Sequence, residues 1–145
     1  LIGGCAGSTS CSIKIFRYQL LFASVSAQLR RIYTPHGVFT PRYQDRAISD
    51  DVLNSVMSFF VFFIVTLGVI AVALGFTGLD FITSVSGAAA ALANIGPGLG
   101  ETIGPAGNFE PLNDTAKWVL VAAMLIGRLE LLAVYAIFTV SFWRA

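Results

Sequence analysis

The sequence predicts an all-α membrane protein, and three observations support that fold class. Hydrophobic residues make up 56% of the 145 residues and charged residues 12%, about half of the charged share that is usual in soluble domains. The hydrophobic residues are gathered into runs long enough for a helix to cross a lipid bilayer. One further run is too short to cross and precedes a glycine-rich turn, which is typical of a helix that enters the bilayer and returns.

The charge and the cysteines argue against several other classes of protein. The formal net charge is +1, and no basic face with interleaved aromatic residues predicts binding to nucleic acid. Cys5 and Cys11 lie in a Gly/Ser-rich stretch far from the single histidine, His36. We interpret them as structural thiols rather than as a disulfide or a metal site. No glycine-rich segment continues as Gly-Lys-Ser/Thr, which argues against a nucleotide-binding loop.

Residues 1–29 are predicted to form a glycine-rich turn followed by an inner helix. The chain starts with neither an initiator methionine nor the segments of a signal peptide, so we expect it to begin inside a larger protein. The apolar stretch from Ile13 to Ala27 carries Lys14 and Arg17. Because a charge at membrane depth costs roughly 2.5 to 3.5 kcal/mol on insertion scales, we expect this helix to face protein or water rather than lipid.

Residues 30–51 are predicted to form a cytoplasmic loop. Short loops enriched in Lys and Arg are retained in the cytoplasm, and prolines favour turns. Aspartates accompany the arginines, so a solvated loop without meaning for orientation is the alternative. The residues concerned are Arg30, Arg31, Arg42, Arg46, Pro35, Pro41, Asp45, Asp50 and Asp51.

Residues 52–76 form the clearest predicted transmembrane helix, the outer helix of a unit that covers residues 52–145. The run holds no charged residue, and about 25 residues at about 1.5 Å each cross a hydrocarbon core of about 30 Å. Residues 80–93 are apolar but too few to cross, so a re-entrant helix is predicted there. The glycine-rich turn 94–100 follows it. The loop 101–115 holds acidic residues but no Lys or Arg, and is placed outside.

Residues 116–143 are predicted to form the inner helix of the same unit. Trp118 and Trp143 lie near its two ends, where tryptophan anchors a helix at the membrane surface. The string Gly-Arg-Leu-Glu at residues 127–130 interrupts the apolar run. Its Arg128 and Glu130 point to different sides of a helix, so they are not expected to pair with each other.

The order of these elements predicts one and a half copies of a helix–pore-loop–helix unit. The turn from Gly3 to Thr9 and the helix after it repeat the second half of the unit at residues 52–143. Non-helical backbone at membrane depth is tolerated where it lines a water-filled cavity. Glycines there let carbonyl oxygens replace the hydration shell of an alkali cation, which the C-terminal end of a short helix also attracts. The alternative is that the glycines serve helix packing.

Several strings resemble, in order and spacing, the last two repeats of the Trk-type potassium-uptake proteins. The resemblance covers essentially the whole chain and implies the fold of a potassium-channel-like transporter, of which this chain is the C-terminal part. The family has four helix–pore-loop–helix repeats around one pathway, with one filter glycine in each. The strings are Gly3-Gly-Cys-Ala-Gly-Ser-Thr9, Asn94-Ile-Gly-Pro-Gly-Leu-Gly100, Ala116-Lys-Trp118, Gly127-Arg-Leu-Glu130 and Phe142-Trp-Arg144.

The resemblance implies an ion filter made of backbone carbonyl groups in two places. Gly7 and Gly96 match the filter glycines of the third and fourth repeats. The carbonyl groups of their neighbours are expected to share the coordination of potassium. The filter residues are Cys5, Ala6, Gly7, Asn94, Ile95 and Gly96.

The resemblance also implies two charged residues near the filter. Arg128 matches an arginine beside the narrow region below the filter, where a positive charge limits cation occupancy and takes part in gating. The alternative is a buried arginine held for structure alone, with Glu130 as a partner through a neighbouring helix. Lys14 matches a position after the third filter and has a structural or an electrostatic role. Ser10-Cys11-Ser12 stands where the family has a glycine triplet, which puts a standard third filter in question.

The same resemblance implies potassium uptake across the bacterial inner membrane by a multi-pass protein that is not an enzyme and uses no cofactor beyond the transported ion. It further implies a homodimer among membrane lipids and a TrkA-like cytoplasmic nucleotide-binding regulatory subunit, which we expect to dock on residues 28–51. One alternative is a truncated, non-conducting membrane remnant or interaction module. Another is a channel-like subunit of an ATP-driven potassium pump, although the Lys117-Trp118 string favours the Trk type.

Overall fold

The computed structural model describes residues 13–34, 36–38, 40, 42–43, 46–129, 131–139 and 143. The predicted filter residues Cys5, Ala6 and Gly7 therefore lie outside the described part of the chain, as does Glu130. The described residues are mainly helical, which confirms the predicted fold class. The elements are α1 (Ile15–Tyr33), β1 (Arg42–Tyr43), β2 (Arg46–Ala47), α2 (Asp50–Phe76), α3 (Phe81–Leu92), α4 (Asp114–Arg128) and α5 (Leu131–Phe138).

Helix α1 extends beyond the predicted boundary at residue 29 and ends at Tyr33. Its last turn contains Arg30 and Arg31, and cations are favoured there because the C-terminal end of a helix carries partial negative charge. The loop that follows holds a short antiparallel hairpin in which Arg42 pairs with Ala47. The basic segment is therefore divided between the end of a helix and a hairpin.

Helix α1 packs against α2 through aromatic residues. The Arg17 guanidinium carbon lies 3.9 Å from the centroid of the Phe59 ring, which is a cation–π arrangement. The Tyr18 and Phe60 rings meet edge to face, with their centroids 5.3 Å apart. The Arg17 charge thus faces an aromatic side chain, as expected from the cost of placing it in lipid.

Helix α2 has 27 residues, and an 18-residue stretch of it has a mean hydropathy of 2.8; of the described helices it alone is long and apolar enough to cross a membrane. Its buried residues recur every three or four positions and face the other helices; they are Val56, Phe59, Phe63, Thr66, Ile70 and Leu74. Large apolar residues such as Ile64 and Val69 cover the opposite, exposed face. An apolar outer face is the surface that a lipid-facing helix presents.

Helix α3 lies between α2 and α4 and is much shorter than either a span or the helix before it. Its 12 residues extend about 18 Å, against about 30 Å for the hydrocarbon core. Small side chains allow close packing, and Ala88, Ala91 and Leu92 are almost completely buried. At its start, the Asp80 carboxylate accepts a hydrogen bond from the Thr83 amide at 3.3 Å.

The inner helix predicted over residues 116–143 is divided in the structure. Helix α4 ends at Arg128, and α5 begins at Leu131. The Leu129 amide donates to the Leu125 carbonyl at 3.1 Å and closes the last turn of α4. Helix α4 packs on both α3 and α2, and the Tyr135 hydroxyl of α5 is 2.7 Å from Thr66 Oγ1 of α2.

Candidate functional site

The segment 94–100 begins with a sharp reversal at the C-terminal end of α3. The Asn94 amide donates to the Ala91 carbonyl at 3.1 Å, and the Ile95 amide donates to the Ala90 carbonyl at 2.9 Å. This pair of hydrogen bonds is a Schellman motif, which needs a left-handed residue just after the helix. Asn94 has a φ of 51°, a conformation that asparagine tolerates better than most residues. The helix therefore stops abruptly and the chain turns back.

After the reversal, the segment runs back along α3. The Leu99 amide donates to Ser86 Oγ at 3.0 Å, and the Gly98 amide donates to the Ile103 carbonyl at 2.7 Å. Ser86 lies six positions before Leu92, which corresponds to about 9 Å along the helix axis. A short helix followed by a chain that returns beside it has the geometry of a re-entrant loop.

Gly96 lies in the middle of the segment with a φ of 112°. A Cβ atom built at this position would meet nothing within 4 Å, so the need for glycine is one of backbone conformation rather than of space. Gly96 and its neighbours Ile95 and Pro97 are exposed, beside an open, largely apolar groove of about 440 Å³. Within the described part of the chain, no hydrogen bond engages the Gly96 backbone. Its carbonyl is thus available to a ligand.

The lower end of the segment rests on the last turns of α4. The Asn94 side-chain amide donates to the Met124 carbonyl at 3.0 Å. Gly127 lies directly against the end of α3: a Cβ atom there would overlap the Leu92 carbonyl oxygen and come within 3.1 Å of Asn94 Nδ2. From the sequence, Gly127 was noted only as part of a string that resembles the family, and no structural role was predicted for it. An isolated glycine inside a helix was the available signal, because such a glycine commonly marks close packing.

Electrostatics at the two ends of α3 are opposite in character. A hydrogen bond from the Thr83 side chain, with a further one from the Thr83 amide, holds the pKa of the Asp80 carboxyl below its ordinary value. The carboxylate favours the N-terminal end of the helix, which carries partial positive charge. The C-terminal end, where the segment 94–100 begins, carries partial negative charge. The field of α3 therefore favours a cation at Asn94 and Gly96.

The structure brings together only some of the residues that the sequence proposed for the site. Asn94, Ile95 and Gly96 are consecutive in the exposed reversal. Arg128 is the last residue of α4 and follows Gly127 directly. Its side chain is exposed. Lys14 lies at the start of α1 and is partly buried.

Three comparisons with known proteins agree. A family model described as TrkH, cation transport protein, matches residues 1–143. The Trk system potassium uptake protein TrkI of Halomonas elongata is 52% identical over 143 residues, which are 99% of this chain and 29% of that protein. The TrkH protein of Escherichia coli K12 is 40% identical over 148 residues, again 99% of this chain and 29% of that protein.

The structural comparison concerns the same family. The crystal structure of the potassium transporter TrkH from Vibrio parahaemolyticus matches with a TM-score of 0.88 and 38% sequence identity, over 98% of this chain and 30% of that chain. The chain therefore spans less than a third of the length of the relatives that it matches.

Proposed function

The chain belongs to the TrkH family of cation transport proteins, and from this membership we propose that it lines part of a pathway for potassium uptake. It is a membrane protein. Because it spans 29% of the length of its relatives, the proposed activity is that of a protein of family length in which this chain supplies one stretch of the pathway. The H. elongata relative, whose name describes potassium uptake, supports potassium as the ion.

The proposed role of residues 94–96 is to bind the ion through backbone carbonyl groups. Carbonyl oxygens that replace the hydration shell of a cation are the basis of potassium filters. The observation that carries this proposal is Gly96, with its φ of 112° in an exposed reversal at the end of a helix too short to cross the membrane. Cys5, Ala6 and Gly7 are proposed to supply the matching part of the third repeat.

Arg128 is proposed to act on the pathway below the filter, and Lys14 to contribute positive charge near the third repeat. Arg128 closes α4 at the point where the inner helix is divided. A guanidinium group is a cation, so another cation that approaches it is repelled unless α4 or α5 moves. This supports a role in gating.

The proposed setting is the bacterial inner membrane, with several crossings, a homodimeric assembly and a TrkA-like regulatory subunit on the cytoplasmic side. The basic residues at the end of α1 and in the hairpin are exposed; they are Arg30, Arg31, Arg42 and Arg46. Retention of basic segments in the cytoplasm supports the placement of this surface towards the regulatory subunit. The relatives, all named for Trk systems, lend no support to a non-conducting module or a pump subunit.

The proposal is tested in a full-length chimera, in which this chain replaces the matching segment of the 52% identical relative. The variant Gly96→Ser is compared with Gly68→Ser, since a Cβ atom at Gly68 on α2 also meets nothing within 4 Å. Potassium and sodium uptake are measured in cells that lack other potassium transporters. We expect Gly96→Ser to lower the potassium-to-sodium ratio about tenfold, equal to about 1.4 kcal/mol, and Gly68→Ser to leave it unchanged. An unchanged potassium-to-sodium ratio in Gly96→Ser would contradict the assignment of residues 94–96 to the ion filter.

A further inference from the structure

Two contacts join the start of the segment 94–100 to the last turns of α4. Coordination of an ion by backbone carbonyl groups does not by itself require either contact. One is the hydrogen bond of 3.0 Å from the Asn94 side-chain amide to the Met124 carbonyl. The other is the close approach of Gly127 to the Leu92 carbonyl group. Both lie within five residues of Leu129, where the inner helix is divided.

Gly127 differs from the other glycines in the described helices. A Cβ atom at Gly68 or Gly75 would meet nothing within 4 Å, and one at Gly87 would meet the end of the flexible Ile103 side chain at 3.1 Å. A Cβ atom at Gly127 would instead overlap backbone, the carbonyl oxygen of Leu92. A backbone neighbour cannot rotate away, so a methyl group at this position has to displace α3 from α4.

The consequence of such a displacement falls on the segment 94–100. Leu92 is fully buried, and Asn94 follows it by two residues in a reversal held by two backbone hydrogen bonds. The end of α3 and the start of the segment therefore move together. The upper end of the segment is held separately, by the hydrogen bond between Leu99 and Ser86.

We propose that Gly127 and the Asn94 side chain are positioning residues, which set the position of the ion-binding carbonyl groups along α4. Through these two contacts, a movement of the end of α4 at Leu129, where the inner helix is divided, also moves the carbonyl groups. This rests on the proposed function of residues 94–96 as a filter. A shift of the end of α4 then changes the spacing of the carbonyl oxygens. Movement at the division of the inner helix therefore influences ion selectivity as well as the passage of the ion.

The test uses two variants of the full-length chimera and a matched control. Gly127→Ala adds the colliding methyl group, and Gly68→Ala makes the same change where a Cβ atom has open space. Asn94→Gly removes the side-chain hydrogen bond but tolerates the φ of 51°, and it adds no atoms. The readouts are the amount of protein in the membrane, the KM for potassium and the potassium-to-sodium ratio of uptake per transporter.

We expect Gly127→Ala to lower the potassium-to-sodium ratio about tenfold and to raise the KM for potassium. We expect Asn94→Gly to lower the same ratio about threefold and also to raise the KM. Gly68→Ala is expected to match the wild type. A role confined to folding lowers the amount of protein but leaves the KM and the ratio per transporter unchanged, and that result overturns the proposal. If Gly127→Ala does not accumulate, Asn94→Gly decides alone: wild-type selectivity overturns the proposal, and a lowered ratio supports it.

Failure of this inference is distinguishable from failure of the proposed function. A wild-type chimera that does not prefer potassium contradicts the function, and with it the inference. A chimera that prefers potassium and loses the preference in Gly96→Ser, but keeps it in Gly127→Ala and Asn94→Gly, contradicts the inference alone.

Discussion

Single residues determine where helix α3 begins and ends. Asn94 and Gly96 have positive φ angles of 51° and 112°, which allow the reversal at its C-terminal end. Asp80 caps the N-terminal end through the Thr83 amide. An uncapped start would leave amide groups of the first turn without partners. The length of α3, and hence the depth at which the segment 94–100 begins, thus depends on a residue at each end.

The pKa of Asp80 predicts a pH dependence for the stability of this helix. Because hydrogen bonds from Thr83 lower the pKa of the folded carboxyl, the carboxylate stabilises the fold above its ordinary pKa of about 3.9. That stabilisation is lost as the pH falls through the lower, folded value. In thermal unfolding of the chimera from pH 7 to pH 2.5, Asp80→Asn is expected to lower the Tm at neutral pH and to reduce the loss at acid pH. Equal pH profiles for the variant and the wild type contradict this role.

At the scale of elements, α2 packs against helices that come before it and after it in the chain. Helix α1 contacts it through Arg17 and Tyr18, and α5 contacts it through Tyr135, whose ring centroid lies 4.9 Å from that of Phe62. Thr66 Oγ1 donates to the Phe62 carbonyl at 2.7 Å, so its single hydrogen is used. The Tyr135 hydroxyl is therefore the donor in its contact with Thr66.

This hydrogen bond predicts coupling between α2 and α5. Tyr135→Phe removes the donor and keeps the ring, and is expected to cost about 0.6 kcal/mol, the mean for hydrogen bonds between membrane helices. Thr66→Val leaves the Tyr135 hydroxyl without its acceptor and is expected to cost more. The unfolding free energies of both variants and of the double variant give the coupling. Strictly additive effects would show that the two hydroxyl groups do not interact in the folded protein.

The contact of Arg17 with Phe59 predicts a specific aromatic requirement between α1 and α2. Phe59→Leu keeps an apolar side chain but removes the ring, and is expected to cost about 1 kcal/mol for a cation–π contact in which Arg17 is partly buried. Phe76→Leu is the control, because Phe76 is 87% exposed at the end of α2. Thermal unfolding of the chimera compares the two. Equal losses of stability would contradict the importance of the ring.

The sequence was sufficient to predict elements whose signal is local. The uncharged run predicted a helix over residues 52–76, and α2 runs over Asp50–Phe76. The glycines and Pro97 predicted the reversal after α3. The division of the inner helix at Leu129 and the contact between Gly127 and Leu92 were not predicted, because both depend on distances between separate helices. The contact between Thr66 and Tyr135 joins residues 69 positions apart and has no local signal.

At the scale of the whole molecule, the described elements place the two loop regions at opposite ends of α2. The basic end of α1 and the hairpin precede Asp50, at the start of α2. The Asn113 side chain donates to the Thr77 carbonyl at 3.0 Å, which ties the end of the acidic loop to the other end of α2. The segment 94–100 returns towards this second end, beside Ser86. The segment is therefore expected to open to the outside.

This arrangement predicts opposite accessibility for two exposed positions, Thr40 and Asn108. In a chimera whose native cysteines are replaced by serine, Asn108→Cys is expected to react with a membrane-impermeant maleimide in intact cells. Thr40→Cys is expected to react only after the cells are permeabilised, because basic loops stay in the cytoplasm. Labelling of both from the same side would contradict the topology.

The central claim is that the carbonyl groups of residues 94–96 bind the transported cation, and a crystal structure of the full-length chimera soaked in rubidium tests it most directly. Rubidium stands in for potassium and gives an anomalous signal that marks its position. We predict an anomalous peak within coordinating distance of the Asn94, Ile95 or Gly96 carbonyl oxygens, and its loss in Gly96→Ser. Rubidium bound elsewhere on the pathway of a transporting chimera, with no peak at these carbonyl groups, would contradict the account.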